Sequence, residues 1–127
     1  IKWDASKQGF VAHIKGTPLN NFDLVDGDGY FVNMSDALPT FTVTGQTVVR
    51  TFSLLTGLNL VGLPESKISI IKAVDLASDV GSNCISITKW DASKQGFVAH
   101  IKGTPLNNYD VYAGDGYFVN VNADTQW

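Results

Sequence analysis

One cysteine, Cys84, is all that this 127-residue chain contains, so no disulfide can close within it. No Cys/His set has zinc-ligand spacing. Basic residues are outnumbered, nine Lys and Arg against twelve Asp and Glu, and they form no stripe. That charge pattern argues against nucleic acid, whose readers carry clustered Lys and Arg. No apolar run approaches the roughly 18 residues that a membrane-crossing helix needs, so no membrane insertion is expected of this segment. A strained nucleophile turn and an oxyanion-hole pattern are missing too, which leaves no enzyme signature. What is present is an ordinary globular composition, 44% hydrophobic and 17% charged, enough to bury a core. Cys84 itself reads as a small apolar residue opening a buried strand, with an intermolecular disulfide as the other reading.

The chain's strongest internal signal is a duplication. "KWDASKQGFVAHIKGTPLNN" occurs at Lys2–Asn21 and again at Lys89–Asn108, 87 positions later. Extended to Lys2–Asn33 against Lys89–Asn120, 28 of 32 positions agree. The differences are Phe22/Tyr109, Leu24/Val111, Val25/Tyr112 and Asp26/Ala113. The stretch from about Phe41 to Thr88 occurs once. A repeat of period 87 therefore predicts that 1–45 is the C-terminal half of one module and 46–127 a second module lacking its last strand, the two packed as one compact unit. Duplication of this kind suits proteins that extend, space or present surfaces.

Alternation of apolar and polar residues predicts a mainly β, antiparallel, sandwich-like fold. "ISITKWD" sets Ile85, Ile87 and Lys89 against Ser86, Thr88 and Trp90. "FVAHIK" sets Phe97, Ala99 and Ile101 against Val98 and His100, and the intervening "ASKQG" predicts a hairpin with positive φ at Gly96. In "GTPLNN" the two Asn residues tolerate the left-handed region. "GDGYFVNV" predicts a third strand over Tyr117–Val121, and the first copy repeats it at Tyr30–Met34. The middle adds strand-like "TFTVTG" (Thr40–Gly45), "TVVRTFSL" (Thr47–Leu54) and "LNLVGLP" (Leu58–Pro64). One helix is expected within 66–79, with Ile68, Ile71 and Val74 facing a sheet. The edge beside Tyr117–Val121 is expected to be open or filled by strand addition.

Four groups of residues invite functional readings. Asp23, Asp26 and Asp28 bunch carboxylates as calcium loops do, but Asp26 becomes Ala113 in the second copy and a Gly-Asp-Gly turn explains both, so no metal is expected. Asp4, Ser6 and His13 are fragments of a nucleophilic set that read better as a turn and a hydrogen-bonded strand histidine, as does His100. Trp3, Trp90, Tyr30 and Tyr117 are candidate glycan contacts, since aromatic faces on a sheet stack on sugar rings; the competing reading makes them core. Asn33 heads a glycosylation sequon that the second copy lacks.

The order "LNLVGLP", short helix, "ISITKWDASKQGFVAHIKGTPLNN", "GDGYFV", "TFTVTG" resembles repeat modules of large secreted and cell-surface proteins of bacteria and archaea. Those run N-L-V-S-L-P, helix, strand ending in aromatic-Asp, then G-x-P and G-x-G-Y-W or G-x-G-Y-F. Gly62 and Phe118 depart from the commonest form. The resemblance implies an extracellular, mainly β, non-catalytic structural, spacer or adhesive module. It would need no cofactor and would partner neighbouring modules or copies of itself by strand addition. The alternative is a carbohydrate-binding module of a secreted glycan-active protein, with polysaccharide as partner.

Overall fold

The computed structural model describes residues 1–37, 42 and 49–127. The strand expected at Thr40–Gly45 falls, apart from Thr42, outside the described residues, as do Thr47 and Val48. The fold is mainly β and antiparallel, with one short α-helix. In chain order the elements are β1 (Lys2–Asp4), β2 (Gly9–Val11), β3 (Ser53–Leu54), β4 (Gly57–Gly62), α1 (Ala73–Val80), β5 (Cys84–Asp91), β6 (Gly96–Ile101), β7 (Gly116–Val121) and β8 (Thr125–Gln126). Strands β4, β7, β5 and β6, in that order, make a four-stranded sheet; β1–β2 and β3–β8 are two-stranded pairs.

Register sorts the sheet's side chains onto two faces. Asn59, Val119, Ile87 and His100 form one row across it, and Leu60, Phe118, Thr88 and Ala99 the next. Successive rows point to opposite sides. The first face carries the aliphatic core. Ala73, Leu76, Ala77 and Val80 of α1 are buried there with Cys84, Ile87, Val119 and Val121. Phe52 and Trp127 close one end as a stacked pair at 5.0 Å, and Trp127 donates its indole N–H to Asp79 at 2.6 Å.

Several expectations are corrected. Tyr30–Met34, expected as a strand, makes only the isolated bridge from Tyr30 to Lys2, and in the described part of Thr47–Leu54 only Ser53–Leu54 is a strand. The helix starts at Ala73, not near Ser66, and Ile68 and Ile71 are exposed while Leu76 and Ala77 are buried. Glu65–Lys67 makes only a 3₁₀ turn. Lys72 is extended because it bridges Asp110, with Val111 N–H donating to Ile71 O (3.1 Å) and Ala73 N–H to Tyr109 O (3.0 Å). The crowded β-branched run Ile68–Ile71 gave the helix little to oppose that pairing. Asn108 Oδ1 accepts the Val74 N–H at 3.0 Å, and Gly81 at φ 104° ends the helix.

In β5 a bulge between Cys84 and Ser86 pushes Ile85 outward and gives Cys84 the core position opposite Val121. The positive φ of the hairpins falls on Gln8 and Gln95 (48° each), not on Gly96. Finally, β7 is interior, paired with β4 on one side and β5 on the other, so the edge beside Tyr117–Val121 is neither open nor filled from elsewhere. Residues after it turn back as β8 onto β3.

The helix face generates a first prediction. Leu76→Ala should cost about 2–5 kcal/mol, the range for emptying a packed site, whereas Ile71→Ala should stay within about 0.5 kcal/mol. Urea unfolding of both variants checks the assignment; the reverse order would return the buried stripe to Ile68 and Ile71.

Candidate functional site

Each copy builds the same local frame. The pairs Trp3↔Phe10 and Trp90↔Phe97 share one hairpin register. Asp4 Oδ1 accepts the Ser6 hydroxyl at 2.6 Å, and Asp91 Oδ1 accepts that of Ser93 at 2.6 Å. Nδ1 of His13 lies 3.0 Å from Leu19 O, and that of His100 lies 2.9 Å from Leu106 O. Asn20 and Asn107 adopt φ of 52° and 53°, and donate to Ala12 O and Ala99 O. The Tyr30 hydroxyl accepts Val25 N–H at 2.7 Å, and that of Tyr117 accepts Tyr112 N–H at 2.9 Å. Even the Phe22/Tyr109 substitution keeps its role, with Lys2 over one ring (5.0 Å) and Lys89 over the other (4.5 Å).

The copies meet through aromatic rings. Trp3 and Phe10 stand edge to face at 4.9 Å, as do Trp90 and Phe97. Across the junction the contacts are reciprocal. Phe118 of the second copy touches Trp3 (5.2 Å) and Phe10 (6.0 Å) of the first. Phe31, its equivalent, touches Trp90 (6.2 Å) and Phe97 (6.1 Å). Phe31 and Phe118 face each other at 6.1 Å. Contacts in which i meets j and j meets i are the mark of a two-fold relation, here between two stretches of one chain. Strand alternation set the faces of each strand separately; the inter-strand register brings Trp90, Phe97 and Phe118 to one side.

A second contact is one-sided. The outward edge of β4 is covered by the first copy. Gln8 accepts the Leu58 N–H through Oε1 (2.9 Å) and donates through Nε2 to Leu58 O (3.1 Å). Trp3 Nε1 also donates to Leu58 O, at 2.6 Å. Further along, Gly29 N–H donates to Leu60 O (3.2 Å) and Gly62 N–H to Gly27 O (2.8 Å), an antiparallel bridge. Gly29 must be glycine here, since a Cβ would lie 2.7 Å from Leu60 Cγ. Sequence reasoning gave Gln8 no role.

The aromatic candidates separate by environment. Tyr30, Trp90 and Tyr117 line one cleft of about 340 Å³, with Phe31, Val32, Lys89, Asp110, Tyr112 and Asp115. Trp3 lines another, of about 430 Å³, with Lys2, Arg50 and β4 residues. Trp90 keeps 38% of its surface exposed, while Tyr117 keeps 1%, too little to stack on a sugar. Burial pushes the Tyr117 hydroxyl up to about 12, and burial raises Tyr109 as well. Cys84 is buried and its thiol is raised by desolvation, the behaviour of a core residue and not of a nucleophile.

The remaining candidates do not converge. Ser6 donates to Asp4, and the His13 ring is engaged by Leu19 O, so Asp4, Ser6 and His13 form no relay. Asp28 sits in the bridge to Val61. Among the described residues no three His, Cys, Asp or Glu side chains gather as metal ligands. His100 Nε2 is buried with no hydrogen-bond partner among the described residues. Asn33 is exposed. Comparisons with protein-family models, with curated proteins and with solved structures gave no match.

Two predictions follow from this geometry. Phe118→Ala should cost about 3–5 kcal/mol in urea unfolding, because the ring is buried at the junction of both copies; a loss below about 1 kcal/mol would mean that the junction contributes little. Asp91 is held down to about 2 by its bonds from Ser93 and Lys94, and Asp4 to about 2 by Lys7 and Ser6. Both lie below the ordinary 3.8, so their contribution is present in full above 3.8 and fades as pH falls towards 2. Carboxyl NMR titration should place both midpoints near 2; midpoints near 3.8 would show that the turn bonds are not held in solution.

Proposed function

We propose that this chain is a non-catalytic structural module of a secreted or cell-surface protein, acting in spacing or adhesion through contacts between repeated units. The observation that carries the reading is the reciprocal aromatic junction. Trp3, Phe10 and Phe31 are spent on Trp90, Phe97 and Phe118, their own equivalents. A surface duplicated in sequence and consumed by its duplicate is what an assembling repeat requires. Its partners are then neighbouring modules or copies of the chain. The extracellular setting rests on the order of sequence motifs, "LNLVGLP" through "GDGYFV". Surface labelling of intact producing cells should tag the protein; recovery only after lysis would remove that part of the reading.

One observation favours a second reading, glycan binding. The cleft beside Trp90 combines a half-open indole with Tyr30, Asp110, Asp115 and Lys89, a stacking ring next to hydrogen-bonding groups. Titrating the chain with cello-, chito- and mannooligosaccharides while following Trp fluorescence separates the two. The structural reading expects no saturable change. A saturable change in the parent that is absent from Trp90→Ala would replace it with the glycan-binding one.

A further inference from the structure

Equivalent residues in the two copies live in different surroundings, and the difference is largest on one face. On the aromatic face Phe10 and Phe97 are 53% and 51% exposed. On the opposite face, Val119 is 0% exposed but its equivalent Val32 is 70%. Val111 is 3% exposed and Leu24 is 78%; Val121 is 1% and Met34 is 50%. His100 is fully buried and His13 is exposed. In the second copy these positions are covered by one contiguous stretch. β4 pairs along β7, β5 pairs along β7's other side, and α1 packs on β5 in the same buried cluster as Val111, Val119 and Val121. Ala73 N–H donates to Tyr109 O and Ile71 O accepts from Val111 N–H, on either side of the Lys72–Asp110 bridge.

The first copy has begun the same sheet. Ile1 and Phe31 exchange backbone hydrogen bonds, both 2.9 Å, in the position that Thr88 and Phe118 hold in the second copy. Beyond that pair, among the described residues, Val32–Met34 form no ladder. The two-fold junction adds a second half to the empty place. Trp3 and Gln8 grip the backbone of Leu58 on β4. Trp90 and Gln95 are the same residues in the same hairpin geometry, and among the described residues neither binds a strand edge in return. The cleft lined by Trp90, Tyr30, Phe31 and Val32 lies between that grip and the unladdered strand.

We infer that the apolar face formed by Leu24, Val32, Met34 and His13 is the docking site for a further strand–helix–strand segment of the Gly57–Ile87 type. Its first strand pairs with Tyr30–Met34, as β4 pairs with Tyr117–Val121, while its outward edge is gripped by Trp90 and Gln95. Its helix covers Leu24 and Val32 as α1 covers Val111 and Val119. The occupant is committed by register: Phe31 meets the leucine equivalent to Leu60, and Val32 the asparagine equivalent to Asn59, as Phe118 and Val119 do. This inference holds whether the module spaces, adheres or binds glycan, and it concerns only which segment completes the first copy.

The test joins a duplicate of residues 57–87 directly ahead of Ile1, the position that corresponds to Thr88. The extended and parent chains are compared by hydrogen exchange, thermal melting and sedimentation. In the extended chain the amides of Val32–Met34 should gain at least ~100-fold protection, Tm should rise, and the species should be monomeric. Leu24→Asp and Val32→Asp should abolish that gain and leave the parent's Tm unchanged, because both residues are exposed there. Unaltered exchange at Val32–Met34 in the extended chain would overturn the inference. So would a parent chain that is already a dimer with Leu24 and Val32 protected, since the occupant would then be a second whole copy. Loss of glycan binding or of surface location would leave these readouts untouched.

Discussion

Phe118 sits on β7 at the centre of the four-stranded sheet, and its ring is met from the far side by Trp3, Phe10 and Phe31. Aromatic pairs contribute about 0.5–1.5 kcal/mol each beyond the area they bury. Five such pairs cross the junction, so together they amount to a sizeable part of a small domain's net stability. The position of the first copy, the cover on β4 and the shape of both clefts depend on this junction.

The edge of β4 shows what the junction makes possible. An exposed strand edge is a template for unwanted pairing, and proteins cover it or disrupt it. Here the cover is assembled from side chains, with Gln8 reproducing the donor and acceptor of a neighbouring strand at Leu58, and from the Gly27–Gly29 backbone further along. Both lie in the first copy, so it protects the sheet that the second copy completes. Tyr109 shows how the copies adjust to unequal surroundings. Its ring takes the lysine as Phe22 does, and its added hydroxyl donates to Ile87 O at 2.9 Å.

Much of the fold was legible in advance where the reasoning was local. Alternation assigned the faces of β6 and β7 correctly, and the hairpins and the mainly β class came from it. The helix boundary failed because Lys72 found a backbone partner at Asp110, 38 positions away, that no local signal announces. The face of Ile85 failed because a bulge resets the period of two. The candidate site was legible only in part. Trp3 and Trp90 were singled out, yet their partners Phe10, Phe31, Phe97 and Phe118 emerge only once both copies are folded onto one another.

The sequence by itself determined the short-range frame of each copy. The Asp4 and Asp91 turns, the Asn20 and Asn107 conformations and the His13 and His100 contacts agree to a tenth of an ångström and a degree. Every partner in those bonds lies within eight residues, so identical sequence is sufficient. Tertiary structure decided burial. Val32 and Val119 have the same neighbours in sequence on their N-terminal side, but only Val119 is laddered between β4 and β5 and joins the buried cluster with α1. Burying apolar surface needs atoms brought from distant parts of the chain, and those atoms are present on one copy and not the other.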